Sequence, residues 1–148
     1  MTVSFECVTH TALGMAELFD LSRSIDAHTG SMARSRETAV AGVTSGLIGL
    51  GQEVSWRAWH FGVPLRMTSR ITSMDAPSRF VDEQVKGPFQ HFQHVHEFQE
   101  GPEGTIMTDR IDFAAPFGPV GRLVEKLVLA HYLKRLIETR NQFLVQGA

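Results

Sequence analysis

From Gln52 to Ala114 polar and apolar side chains alternate, and tight-turn residues break the alternation at short intervals. Beyond it, from Pro119 to Leu144, apolar residues return at three- and four-residue steps. A period of two marks a strand and a period near 3.6 marks a helix. A run of short antiparallel strands followed by one long amphipathic helix has few ways to bury its apolar faces. The sheet twists, and the helix closes its concave side. Such an arrangement tends to enclose apolar space, so the pattern points to a protein that holds something greasy.

The strand spans follow from the punctuation. Residues 3–10 form a first strand. Thr11 is placed to cap a short helix over Ala12–Leu21, and Ser22 or Ser24 starts a second one that runs to His28. Residues 29–35 are small and polar and read as a loop. Arg36–Val43 reads as a strand, and the glycine-punctuated stretch after it as a turn near Ser45–Leu50. Then come strands Gln52–Phe61, Pro64–Met74, Arg79–Lys86, Phe89–Gln99 and Thr105–Ala114. Gly62–Val63, Asp75–Ser78 and Glu100–Glu103 make the hairpin turns. Pro119 suits the first turn of the closing helix. Its apolar stripe runs through Leu123, Leu127, Ala130 and Ile137.

The more apolar face of each strand can be chosen separately and then tested across the hairpins. The choices are Val54, Trp56, Ala58 and His60; Leu65, Met67, Ser69 and Ile71; Phe80, Asp82 and Gln84. The later strands give Phe92, His94, His96 and Phe98, then Met107, Asp109, Ile111 and Phe113. The expected turns set Trp56 opposite Ser69, Ser69 opposite Gln84, Ile71 opposite Asp82, His94 opposite Asp109 and Phe92 opposite Ile111. Directly opposed residues share a face, so all the hairpins agree on one inner surface.

Composition excludes several classes. The chain has 148 residues, enough for one domain with a single core. A net charge of −2 does not suit phosphate-driven nucleic-acid binding, so no nucleic-acid partner is expected. Cys7 is the only cysteine, which rules out an internal disulfide and a cysteine-based zinc cluster. The start of the chain is not a signal peptide, and Leu123–Leu136 is broken by charges, so neither a leader nor a membrane span is expected. A cytoplasmic location fits these features.

The order of elements, with Trp56-Arg-Ala-Trp-His60, Arg79-Phe-Val-Asp-Glu-Gln84, Gly87-Pro-Phe-Gln-His-Phe-Gln-His-Val-His96 and Gly104-Thr-Ile-Met-Thr-Asp109, resembles the START-related (SRPBCC, Bet v-like) superfamily. These motifs look like those of its small bacterial polyketide cyclase/dehydrase-like members. The resemblance covers nearly the whole chain. It implies an α+β helix-grip fold: a curved antiparallel seven-stranded sheet around a long C-terminal helix, with two short helices after the first strand. It also implies an elongated apolar cavity, and no particular reaction.

On this reading the ligand-binding residues are Trp56, His60, Met67, Ser69, Phe80, Asp82, Gln84, Phe92, His94, His96, Phe98, Met107, Asp109, Ile111, Phe113, Leu123, Leu127 and Ala130. The ligand would be a small hydrophobic molecule such as a lipid, quinone or polyketide-like compound, with no cofactor. His94, Asp109 and Asp82 are the candidates for acid–base chemistry, since a carboxylate beside an imidazole sets its tautomer. A carboxylate–imidazole pair can equally be structural. His91 lies on the opposite face from His94 and His96, and a metal site built on His94, His96 and Asp109 is not expected. Arg57, Arg66, Arg70 and Glu53 fall on the outer face. Arg34 and Arg36 lie near the expected cavity mouth. The functional alternatives to binding are a cyclase or dehydratase using the His/Asp pair, and an interaction module, with a homodimer as one form, whose cavity is vestigial.

Overall fold

The computed structural model describes residues 2–32, 35–115, 119 and 128–146. Strand β1 (Val3–Thr11) leads into helices α1 (Met15–Ser22) and α2 (Ile25–Ser31). Strands β2 (Thr38–Gly42), β3 (Glu53–His60), β4 (Val63–Asp75), β5 (Arg79–Lys86), β6 (His91–Gly101) and β7 (Gly104–Ala114) follow, and then helix α3 (Ala130–Gln146). The sheet is seven-stranded, in the order β1-β7-β6-β5-β4-β3-β2. The pairings are antiparallel throughout, so β2 to β7 form a meander and β1 seals its far edge against β7.

Short-range chemistry sets the helix starts. Ser24 caps α2, accepting from the Ala27 N–H at 3.1 Å. Thr11 does not cap α1. Its hydroxyl accepts from the Leu13 N–H, and Gly14 takes the cap position without a side-chain bond. The strand reading over Arg36–Val43 shrinks to Thr38–Gly42, because Arg36 sits at φ +52, outside the extended region. From Val43 to Gln52 the chain is irregular, pinned where Ser24 bridges to Leu47.

Two hairpin registers differ from the sequence expectation, each by an even step. The β3–β4 turn is Phe61–Gly62, with His60 opposite Val63, so Trp56 faces Met67 and Val54 faces Ser69. The β6–β7 turn is Pro102–Glu103, with Gly101 opposite Gly104. His96 therefore faces Asp109, His94 faces Ile111 and Phe92 faces Phe113. A shift by two residues keeps every side chain on its face, so the inner surface survives intact. The β4–β5 pairs Ser69–Gln84 and Ile71–Asp82 stand as expected.

The core lies at one end of the concave side, beneath α1. Leu18, Phe19, Phe80, Phe98 and Met107 are buried there, with Phe19 edge-on to both Phe80 and Phe98 at 5.4 Å. Helix α3 packs on β1, α1 and α2. Among the described residues no helix is long and apolar enough to cross a membrane.

Candidate functional site

Between the sheet, α2 and α3 lies a cavity of about 320 Å³ with mainly apolar walls. That is within the range of small-molecule pockets. Of the residues expected from the sequence, Trp56, His60, Met67 and Ser69 line it from β3 and β4. Phe80, Asp82, Phe92, His94, His96 and Ile111 line it from β5, β6 and β7.

Others fall elsewhere. Phe98 and Met107 belong to the solid core under α1. Phe113 is fully buried between Phe5 and Phe89. Gln84 clamps the β5–β6 connection, donating to the Phe89 carbonyl and accepting from the Phe89 N–H. Of the expected helix stripe, Ile137 lines the cavity and Ala130 does not; the wall on this side is completed by Leu129, just before α3, and by Tyr132, Leu133, Leu136 and Arg140. Leu123 and Leu127, with Arg34, lie outside the described residues.

Asp109 lines no cavity wall but organises the polar floor. It is wholly buried. Its Oδ1 accepts from Arg140 Nη2 at 2.9 Å and from His94 Nε2 at 2.6 Å, and its Oδ2 accepts from Asn141 Nδ2 at 2.8 Å. Arg140 is held in turn by the Asn141 side-chain carbonyl. His96 Nε2 donates to Asp82 Oδ2 at 2.7 Å. The other His96 nitrogen, Nδ1, stands 3.4 Å from Asp109 Oδ1 and has no hydrogen-bond partner among the described residues. Phe80, His96 and His94 stack in sequence, with centroids 4.0 and 3.7 Å apart.

These contacts set the charge states. Burial, reinforced by the neighbouring His96, pulls His94 down to about 4, against the opposing hydrogen bond to Asp109. Neutral His94 gives its Nε2–H to Asp109 and keeps Nδ1 as an acceptor. Burial works to raise Asp109, but Arg140 and the His94 hydrogen bond prevail and hold it well below the usual carboxylate range. Asp82 is lowered the same way, with burial opposing and the His96 bond and charge prevailing. Cys7, buried on β1, is pushed up to about 11, chiefly by burial.

A second polar pair lies toward α2 and a third at the β3–β4 tip. His28 Nε2 bonds Glu37 at 2.7 Å and the His28 ring stacks on Trp56. Glu37 is lowered, since His28 outweighs its burial. His60 Nδ1 and the Tyr132 hydroxyl are 2.6 Å apart, and Tyr132 packs on Phe61. Burial lowers His60.

Asp82, His94 and His96 bring one ligand-type atom each within 4.8 Å of one another. Their arrangement does not suit a metal. Both Nε2 atoms are committed to carboxylates, and Asp82 Oδ2 is itself taken up by His96, so a metal would have to displace these bonds.

The sequence reading missed Arg140, Asn141, Tyr132 and the His28–Glu37 pair. Arg140 left a signal: it stands three residues after Ile137 and four before Leu144, a charge inside an apolar stripe. The others left none.

No protein-family model and no curated protein sequence match the chain. Solved structures do. TTHA0849 from Thermus thermophilus superposes with a TM-score of 0.74 at 16% identity, covering 100% of this chain and 99% of that one. The ginseng major latex-like protein 151 from Panax ginseng gives 0.68 at 13%, covering 99% and 97%. Ara h 8.0201 gives 0.64 at 12%, covering 99% of both. This chain has the helix-grip fold. It is the fold of the START-related superfamily that the sequence motifs resemble. In this helix-grip chain the sheet supplies the histidines and carboxylates, and the gripped helix supplies Arg140, which pairs with Asp109.

Proposed function

We propose that the chain binds a small hydrophobic molecule in the cavity between sheet and α3. The observation that supports this is the cavity itself: about 320 Å³, apolar over most of its wall, with polar groups at separate points, among them Asp82, His94 and Arg140, the His28–Glu37 pair and the His60–Tyr132 pair. Burial of apolar ligand surface supplies affinity at about 25 cal/mol per Å². Neutral His94 presents Nδ1 as an acceptor, so a ligand hydroxyl or N–H reaching it is oriented by one hydrogen bond. The polar groups are few and fixed, which favours position over strength.

Saturable fluorescence enhancement of anilinonaphthalene sulfonate is the direct test, beside native mass spectrometry of the freshly purified protein. The Ala58→Phe variant fills the cavity from β3 and is expected to lose the saturable signal while still melting cooperatively. An unchanged titration would overturn the reading.

One observation favours a second reading, a cyclase or dehydratase. His94 is held neutral, with Nδ1 available to take a proton from a carbon beside a ligand carbonyl. In that case His94→Ala abolishes turnover of a polyketide-like substrate and leaves the dye titration intact. A binding protein shows no turnover to lose.

A further inference from the structure

The outer face of the sheet changes character in steps toward the β3–β4 tip. The cross-strand row Glu53–Arg70–Glu83 sets one cation between two acids, with Arg70 bonded to Glu53. The next row, Ser55–Thr68–Lys86, has one cation and no acid. The next, Thr38–Arg57–Arg66, sets two exposed guanidiniums directly opposite each other. Neither has a carboxylate partner among the described residues, although like charges in this position repel. Glu37, next to Thr38, is engaged with His28, and Glu53, on the same strand as Arg57, with Arg70. Beyond the arginines the outer face ends at Trp59, 43% exposed, and the tip adds Phe61 and Val63, 65% and 51% exposed, with Val63 opposite the cavity-lining His60. Phe61 takes a left-handed backbone (φ 54) in the turn, and Gly62 follows with φ 74.

We propose that this hairpin tip docks on an anionic bilayer. Acids with a paired cation, then cations alone, then aromatic and aliphatic side chains is the order in which a protein meets water, phosphate headgroups and acyl chains. A tryptophan suits the headgroup boundary, because one end of its ring is apolar and the other hydrogen-bonds. The place of the tip matters as well. His60 and Phe61 line the cavity at this end, so a docked tip brings this end of the cavity to the lipid. The docking surface stands on its own residues; only its use, exchange of an apolar ligand without crossing water, rests on the binding reading above.

The experiment is flotation of the purified full chain with vesicles of phosphatidylcholine alone and of phosphatidylcholine mixed with phosphatidylglycerol. The protein floats with the mixed vesicles and stays behind with the neutral ones, and added salt reduces the binding. The Arg57→Gln/Arg66→Gln pair binds the mixed vesicles roughly twentyfold more weakly. Trp59→Ser weakens binding roughly tenfold. These side chains are exposed, so the variants keep the parent melting temperature. Three outcomes would overturn the proposal: no flotation with anionic vesicles, variants that float like the parent, or a Trp59-dependent dimer in sedimentation velocity without lipid. The last would make the tip a contact between copies. Flotation is read without any cavity ligand, so its failure leaves the binding reading standing.

Discussion

His94 shows how one side chain carries a pH dependence into the fold. Folded, it takes up its proton only near pH 4, whereas an unfolded imidazole does so near 6.5. Between these values the unfolded chain binds more protons, so stability is complete above about 6.5 and falls as the pH drops toward 4. The loss attributable to His94 is on the order of 3 kcal/mol. Depressed Asp82 and Asp109 act in the same sense at lower pH, where their stabilisation is lost as pH falls below the ordinary carboxylate range. Urea unfolding at pH 7 and 4.5 checks this. The His94→Gln variant should show a visibly shallower difference between the two, with half-buried His60 supplying part of what remains.

At the scale of elements, the turns decide more than the strands. Gly104 starts β7 at φ +141, a backbone few side chains adopt, and a Cβ there would run into the Thr11 carbonyl and Ala12. The next residue, Thr105, donates its hydroxyl to the Leu13 carbonyl at 2.7 Å. The β6–β7 turn is therefore the seat on which β1 hands over to α1. Gly104→Ala is expected to cost roughly 1–3 kcal/mol, read as a lower urea midpoint with an unchanged slope. A loss below a few tenths would show that this contact relaxes freely. The same turn explains the difference in register. Glu100 to Gly104 offers two glycines and a proline, and the sequence admits either a four-residue or a two-residue loop. The strands take the longer ladder, because pairing Glu100 with Thr105 and Gly101 with Gly104 satisfies more backbone groups.

Across the whole molecule, the Arg140–Asp109 contact is a polar tie between the last helix and the sheet. Both groups are buried, 3% and 0% exposed. Arg140→Met removes the cation and leaves Asp109 charged in an apolar setting, at an expected cost of about 3–5 kcal/mol. Replacing both, as Arg140→Met/Asp109→Leu, should recover much of that loss, since an apolar pair leaves no uncompensated charge. Thermal and urea unfolding of the single and double variants test the pair. A double variant no better than the single would mean that His94 and His96 depend on Asp109 more than the helix does.

The inner face was legible from period-two alternation alone, because a register shift of two residues leaves each side chain where it was. Alternation therefore puts His94, His96, Asp82 and Asp109 on one face, although it misassigns which of them stand opposite each other. The long helix and its apolar nature were equally legible, and so was Ser24 as a cap. The sequence could not say which part of the inner face would be solid and which hollow. Phe98 and Met107 have the same alternation as Phe92 and His94, yet α1 lands on one pair and not on the other. Nor could it supply partners across the fold: Arg140 meets Asp109 only when the last helix crosses a strand thirty-one residues earlier. Local periodicity is written in neighbouring residues and is readable there. Cavities and buried ion networks arise from elements that meet in space, and they exist only once the helix has been laid on the sheet.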